Sequence, residues 1–441
     1  MRRKLTFAPL VAATYFMVAG GPYGLEELVR EAGYGGAVAI VLLIPLFWSL
    51  PTALMVGELA GALPEEGGYY VWVKRALGPF WGFQEAWLSL CASVFDMAIY
   101  PTLFVLYLGR LWPAAATGPA STAVGVAVVI ACAAMNLRGS RAVGRASEWL
   151  ALLLLAPFAA LCLLAWFGPG HAAAGTDSGV GIGNGFVPGL LVAMWNFMGW
   201  DNASTVADEV ERPQRTYPLA VLTTLALVVL TYLLPIAAAS RSGVAPLAWT
   251  TGAWVDIGRL VGGAPLALAI VLGGMVCGLG MMDALVMSYS RLPMVMAQQG
   301  FLPRAFARTL PGNGAPWVAI VVLSLAWSLA LGLGFERLIE LDIILYGLAL
   351  LLEFVALVVL RVREPKLARP FRVPGGLPVA ILLGVGPTAL LCLALVRERQ
   401  ARPDQVDGIV LGVGLAAAGL LLYPAWVRFR TAGRVDNAPP R

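Results

Sequence analysis

From Phe7 almost to its end, the chain repeats apolar runs long enough to cross a bilayer, and this repetition limits the fold more than any other feature. A helical crossing of the hydrocarbon core takes about 20 residues. Within that core every backbone polar group must be satisfied by protein, which leaves only helices and closed barrels. The runs lack the short alternating segments of barrel strands. Only 12% of the 441 residues are charged and 59% are hydrophobic, against ~25% charged in an ordinary soluble domain. The chain therefore reads as an all-α integral membrane protein. Met1-Arg2-Arg3-Lys4 before an apolar run imitates a signal peptide, but the run continues through a Gly-Pro break into Glu26 and Glu27 and is read as the first span.

About 12 transmembrane helices are expected, at 6–31 (broken), 35–62, 80–111, 118–137, 146–168, 186–209 (broken), 217–239, 263–297, 316–334, 338–361, 376–396 and 407–427. With the N- and C-termini both cytoplasmic, the inner segments hold 22 of the 30 Lys and Arg and the outer segments 8. That is the bias of the positive-inside rule for a multi-pass protein of the cytoplasmic (plasma) membrane. The basic residues sit in short loops between spans, so the net charge of +5 signals orientation and not a nucleic-acid surface. Glu58, near the inner end of span two, and Glu65 and Glu66 after it read as interfacial acids.

Cys91, Cys132, Cys162, Cys277 and Cys392 all fall inside apolar spans, where cysteine acts as a small hydrophobe and not as a disulfide or metal set. The single histidine, His171, sits in a Gly-rich loop. No multi-histidine metal site is possible, and no cofactor is expected. A proton carrier in the core has to be a carboxylate.

Two spans break themselves. In the first, Gly20 and Gly21 weaken the helix and Pro22 removes an N–H and clashes with a preceding carbonyl, with Tyr23 and Glu26 just beyond. In the sixth, Trp195, Asn196, Gly199, Trp200, Asp201 and Asn202 crowd together, and several of these compete with the helix backbone for hydrogen bonds. Bare backbone survives at membrane depth only where protein buries it or it lines a cavity. Broken spans separated by five predict two five-helix repeats, about 6–168 and 186–361, with a small-molecule site between them near the midplane. These repeats form an expected ten-helix core over residues 1–375, and 376–441 add two helices and a tail. Asp96, with Tyr100 one turn on, and Asp283 place carboxylates inside spans three and eight, where insertion costs about 2.5–3.5 kcal/mol and acids mark pathways. Tyr346 lies mid-way along span ten, with Glu353 two turns beyond.

Five pieces resemble the amino acid-polyamine-organocation transporter superfamily: GGPYGLEE (20–27), LPEEGGYYVWVKRALGPFWG (63–82), MWNFMGWDNASTVADEVERPQRTYP (194–218), AQQGFLP (297–303) and LYGLALLLEFVALVVLRVREPKLARPFRVP (345–374). Within it, GGPYG and LYGLALLLEF are most similar to the plant-type polyamine uptake permeases. The resemblance implies a LeuT-type 5+5 inverted repeat with broken helices 1 and 6. It places Gly20, Gly21 and Glu26 in the unwound part of span one, Trp195 at an aromatic gate, Asp96 at a substrate-facing position commonly Asn, and Asp201 at a position often acidic. Two departures stand out. Pro22 deletes an amide that amino acid relatives use to hold a carboxylate, and Leu154 stands where many proton-coupled members have a lysine.

The expected function is secondary active transport by alternating access, as proton-coupled uptake of polyamines or other organic cations, with an amino acid permease or exchanger as the alternative. A substrate-binding membrane sensor is a more distant alternative, and no enzyme motif is present. Glu26, Asp96, Asp201 and Asp283 are the candidate proton carriers, with sodium the other possible coupling ion. Tyr23, Tyr100, Trp195, Asn196, Trp200 and Tyr346 offer ring faces and an amide to cargo. The lipid bilayer is the other partner, and oligomeric state is left open.

Overall fold

The computed structural model describes residues 4–168, 185–332, 335–401 and 407–435, and the loop holding His171 lies outside them. The order is α1 (Phe7–Val18), α2 (Glu26–Ile44), α3 (Leu50–Ala62), α4 (Tyr69–Leu77), α5 (Pro79–Gly109), α6 (Gly118–Asn136), α7 (Ser140–Phe167), α8 (Phe186–Trp195), α9 (Pro213–Ala239), α10 (Ala253–Tyr289), α11 (Arg291–Gln298), α12 (Trp317–Ala330), α13 (Phe335–Arg363), α14 (Gly376–Ala401) and α15 (Asp407–Val435). The described residues include no sheet, only isolated bridges pairing Leu5 with Val210 and Gly20 with Pro22.

Eight helical stretches are long and apolar enough to span a membrane, and four shorter apolar helices, among them α1 and α8, accompany them. The outer faces carry hydrocarbon to the surroundings, as in Leu329 and Phe167 at 87% and 80% exposed. Carboxylates lie inside: Glu26, Glu58, Glu85, Asp96, Asp201, Asp283, Asp342 and Glu353 are all buried. This is the distribution lipid imposes, because an acid facing hydrocarbon has no compensating partner.

Both expected breaks are present. Helix α1 stops at Val18, and the chain runs open through Ala19–Leu25 before α2 begins. At Gly33, with φ of 69°, α2 changes direction, so that its first two turns complete span one and the rest opens span two. Helix α8 ends at Trp195, and the chain resumes as a 3-10 helix, Asn202–Glu209. At Gly199 the backbone φ is 91° and a Cβ would fall on the Met17 carbonyl oxygen, so the two breaks touch where only glycine fits. Around them stand α10, which packs against α1 and the 3-10 helix, and α5, which packs against both α10 and α13.

One sequence expectation needs correction. Glu58 is not interfacial but fully buried. Arg361 Nε donates to its Oε1 at 2.9 Å, Arg361 Nη2 donates to Oε2, Arg369 Nε lies 3.2 Å away and the Val373 amide donates at 2.8 Å. Arg361 reaches it from the last turn of α13, and the chain after α13 brings Arg369 and Val373 to it. Arg291, the first residue of α11, is 1% exposed and paired with Glu209 at 2.9 Å. The end of the bundle where these arginines gather is called the basic end below.

Candidate functional site

Opening α1 and α8 leaves a small cavity between the two breaks, α5, α10 and α13. Gly20 and Tyr23 reach it from the first break and Trp195, Asn196 and Gly199 from the second. Asp96 and Tyr100 come from α5, Met281 and Tyr289 from α10, and Asp342 and Tyr346 from α13. The enclosed space is about 20 Å³, room for about one water. Among the described residues its lining includes no Lys, Arg or His.

The carboxylates are held by phenols. Tyr100, one turn from Asp96 on the same face, donates to Asp96 Oδ1, and Tyr289 donates to Oδ2 at 3.3 Å. Asp342 interacts electrostatically with both Asp96 and Asp201. Asp201 sits just behind the lining: the Tyr346 hydroxyl donates to its Oδ1 while accepting the Gly199 amide at 2.9 Å. Tyr346 thus couples the second break to α13 through one hydroxyl. Its ring forms part of the cavity wall.

The other predicted residues lie elsewhere. Glu26 is outside the lining; its Oε2 accepts the Gly24 amide at 2.7 Å, and its Oε1 accepts Tyr107 Oη at 2.8 Å and the Gly252 amide at 3.2 Å. It ties the first break to α5 and to the start of α10. Gly21 packs against Leu154, which therefore touches the first break from α7. Trp200 is fully buried with its indole N–H on the Phe197 carbonyl. Asp283 is outside the lining and accepts Asn136 Nδ2 at 2.8 Å, beside a groove that also holds Cys132 and Trp149.

Sequence reasoning missed Asp342 and Tyr289. A signal for Asp342 existed, since the Asp-then-Tyr spacing of Asp96 and Tyr100 recurs in Asp342 and Tyr346. Nothing marked Tyr289, one aromatic among many.

Both ends of the cavity are closed. On one side Tyr23 meets Tyr107 and Phe158 edge-on at 4.9 and 5.1 Å, and Phe158 meets Trp254 at 5.3 Å. Trp254 in turn donates to the Pro22 carbonyl at 2.9 Å. Toward the basic end, Leu5 pairs through its backbone with Glu209 and Glu211, both at 2.8 Å. Glu209 also binds Arg291 and accepts from Ser140. Glu66, Asp208 and Glu209 bring carboxylate oxygens within 4.8 Å of one another there, and the pairing of Glu209 with Arg291 makes this an ion-pair node.

The described family model "Amino acid permease" matches residues 11–403. Polyamine transporter RMV1 of Arabidopsis thaliana is 31% identical over 99% of this chain and 89% of its own. Polyamine transporter PUT1 of Oryza sativa subsp. japonica is 34% identical over 97% of this chain and 80% of its own. Among solved structures, MhsT in complex with L-phenylalanine superposes with a TM-score of 0.66 at 13% identity, covering 90% of this chain and 99% of that one. At that identity the likeness speaks to the fold, which is of the LeuT type.

Proposed function

The chain belongs to the amino acid permease family and is a multi-pass membrane transporter of a small molecule, and from that premise we propose that it imports polyamines or related organic cations together with protons. The observation that carries this reading is the use of charge at the two breaks. The resemblance implies that in amino acid relatives free amides of the first break hold the cargo carboxylate. Here Pro22 has no amide, and the Gly24 amide is already taken by the chain's own Glu26. The cavity meanwhile offers Asp96 and Asp342 and no basic side chain. Such a wall suits ammonium groups, with Trp195, Tyr100 and Tyr346 adding ring faces at roughly 0.5–2 kcal/mol each. The names of the plant relatives point the same way.

Asp201 is assigned the coupling proton. While it is ionised, the only hydroxyl proton of Tyr346 is committed to it. Protonated Asp201 is itself a donor and releases that hydroxyl. The Tyr346 phenol is then able to turn its proton elsewhere, so proton and cargo occupancy communicate across one residue. The basic end is cytoplasmic, the membrane is the cytoplasmic one, and residues 1–375 form the transport core with α14 and α15 as additions.

The test is uptake of radiolabelled putrescine by purified protein in liposomes under an acid-outside gradient, with leucine and arginine as competitors. Gradient-dependent uptake that neither amino acid suppresses is the expected result. Transport of an amino acid without putrescine flux would sink the cargo assignment.

A further inference from the structure

Helices α5 and α13 each carry a second buried carboxylate, and the two pairs are matched. Glu85 precedes Asp96 by eleven residues on α5, and Glu353 follows Asp342 by eleven on α13. Eleven residues are three turns of helix and about 16 Å of rise, so each pair shares a face. Helices α5 and α13 pack together, and Arg363 at the end of α13 donates to the Ala76 carbonyl just before α5 begins, so the two run antiparallel and Asp96 and Asp342 form an upper tier at the cavity. Glu85 and Glu353 form a lower tier toward the basic end, and Asp201 stands between the tiers.

The lower tier is fully buried, with Glu85 and Glu353 at 0% and 1% exposed. The carboxyl groups of Asp201 and Glu353 lie close enough to interact with each other. Glu85 and Glu353 interact electrostatically, Ser89 donates to Glu85 Oε1 at 3.2 Å, and Tyr69 approaches all three acids from α4. One oxygen of each glutamate, Glu85 Oε2 and Glu353 Oε2, has no hydrogen-bond partner. Neither glutamate has an ion pair with Lys or Arg among the described residues. The groups facing them are Tyr69 from α4, Ser89 from α5, Asp201 from the second break and Tyr346 from α13. Tyr289 of α10 also lies close enough to interact with Tyr69 and Asp201. A buried, unpaired carboxylate oxygen is costly, and a proton is the smallest ligand that relieves it.

We propose that Glu353 and Glu85 are a proton-binding relay that takes the proton from Asp201 and delivers it toward the basic end, with Tyr69 packed beside all three acids. This rests on the proton-coupled reading above. The proton on Asp201 passes to the neighbouring Glu353, then to Glu85, and leaves beside α4; Asp201 is left ionised and again accepts from Tyr346.

The experiment compares wild type, Glu353→Gln, Glu85→Gln and Glu353→Asp in proteoliposomes. Three readouts are taken: putrescine accumulation driven by a pH gradient, substrate-induced proton entry read by a trapped pH dye, and putrescine counterflow, which needs no net proton release. Both Gln variants are expected to lose gradient-driven accumulation and proton entry at least ten-fold while counterflow stays within two-fold of wild type. Glu353→Asp is expected to recover part of the coupling. Undiminished accumulation in both Gln variants overturns the relay, and so does equal loss of counterflow in all three variants, which would mark a packing or cargo role. Wild type separates the two readings: absence of putrescine flux, or flux driven by sodium alone, fails the proposed function itself.

Discussion

At the scale of single residues, chemistry concentrates in side chains that the membrane makes expensive. Asp342 illustrates this. It lines the cavity with Asp96, and a charge-assisted hydrogen bond from an ammonium group is worth about 1.5–3 kcal/mol. Asp342→Asn is therefore expected to weaken diamine binding by roughly ten- to hundredfold and to spare most monoamine binding, as read by calorimetry on the purified protein. Asp342 lies four residues into the expected tenth span, which began at residue 338, and the helix itself starts at Phe335. Glu26 shows the opposite limit of a sequence reading. Its place next to the break was legible from the Gly-Gly-Pro run, yet its partners Tyr107 and Gly252 are 81 and 226 residues away, and only folding turns it away from the cavity.

Among elements, the links between helices divide into deep and shallow ones. Glu58 joins α3 to Arg361 at the end of α13 in a site closed to water. Arg361→Ala would leave that carboxylate buried beside Arg369 alone, at a cost of about 3–5 kcal/mol. The expected outcome is a clear fall in the thermal unfolding midpoint, partly recovered by adding Glu58→Gln. The Arg75 and Glu364 pair, 2.6 Å apart, is the shallow counterpart between α4 and the chain leaving α13. Its guanidinium holds the Glu364 carboxyl below the usual range. The link is thus complete at neutral pH and is lost as pH falls through that lowered value, and its exposure keeps its contribution small. Helix positions and both breaks were readable because lipid demands long apolar runs and because Gly and Pro interrupt them. The burial of Glu58 was not, since its guanidinium partner stands 303 residues along the chain.

For the molecule as a whole, the closed cavity of about 20 Å³ is far smaller than a diamine, so transport requires the packed ends to separate in turn. The pairing of Leu5 with Val210 closes the basic end. Bridged neighbours of this kind lie about 4.8 Å apart, within disulfide reach. In a background with the five native cysteines replaced, Leu5→Cys with Val210→Cys is expected to cross-link on oxidation and stop putrescine flux. Reductant is expected to restore it, whereas flux that survives complete cross-linking would show that this end need not open.

The carboxylates between α5 and α13 have a consequence for the electrical behaviour of the carrier. On the proposed reading, a dication and a proton aboard compensate three of the negative charges these side chains can carry, and the loaded form crosses the membrane field far less charged than the empty one. Emptied, the same helices return as an anion. A membrane potential acts on each elementary charge with about 2.3 kcal/mol per 100 mV, so an interior-negative voltage would drive the unloaded carrier back toward the outside. In that cycle the step that senses voltage is the return limb and not the delivery of cargo.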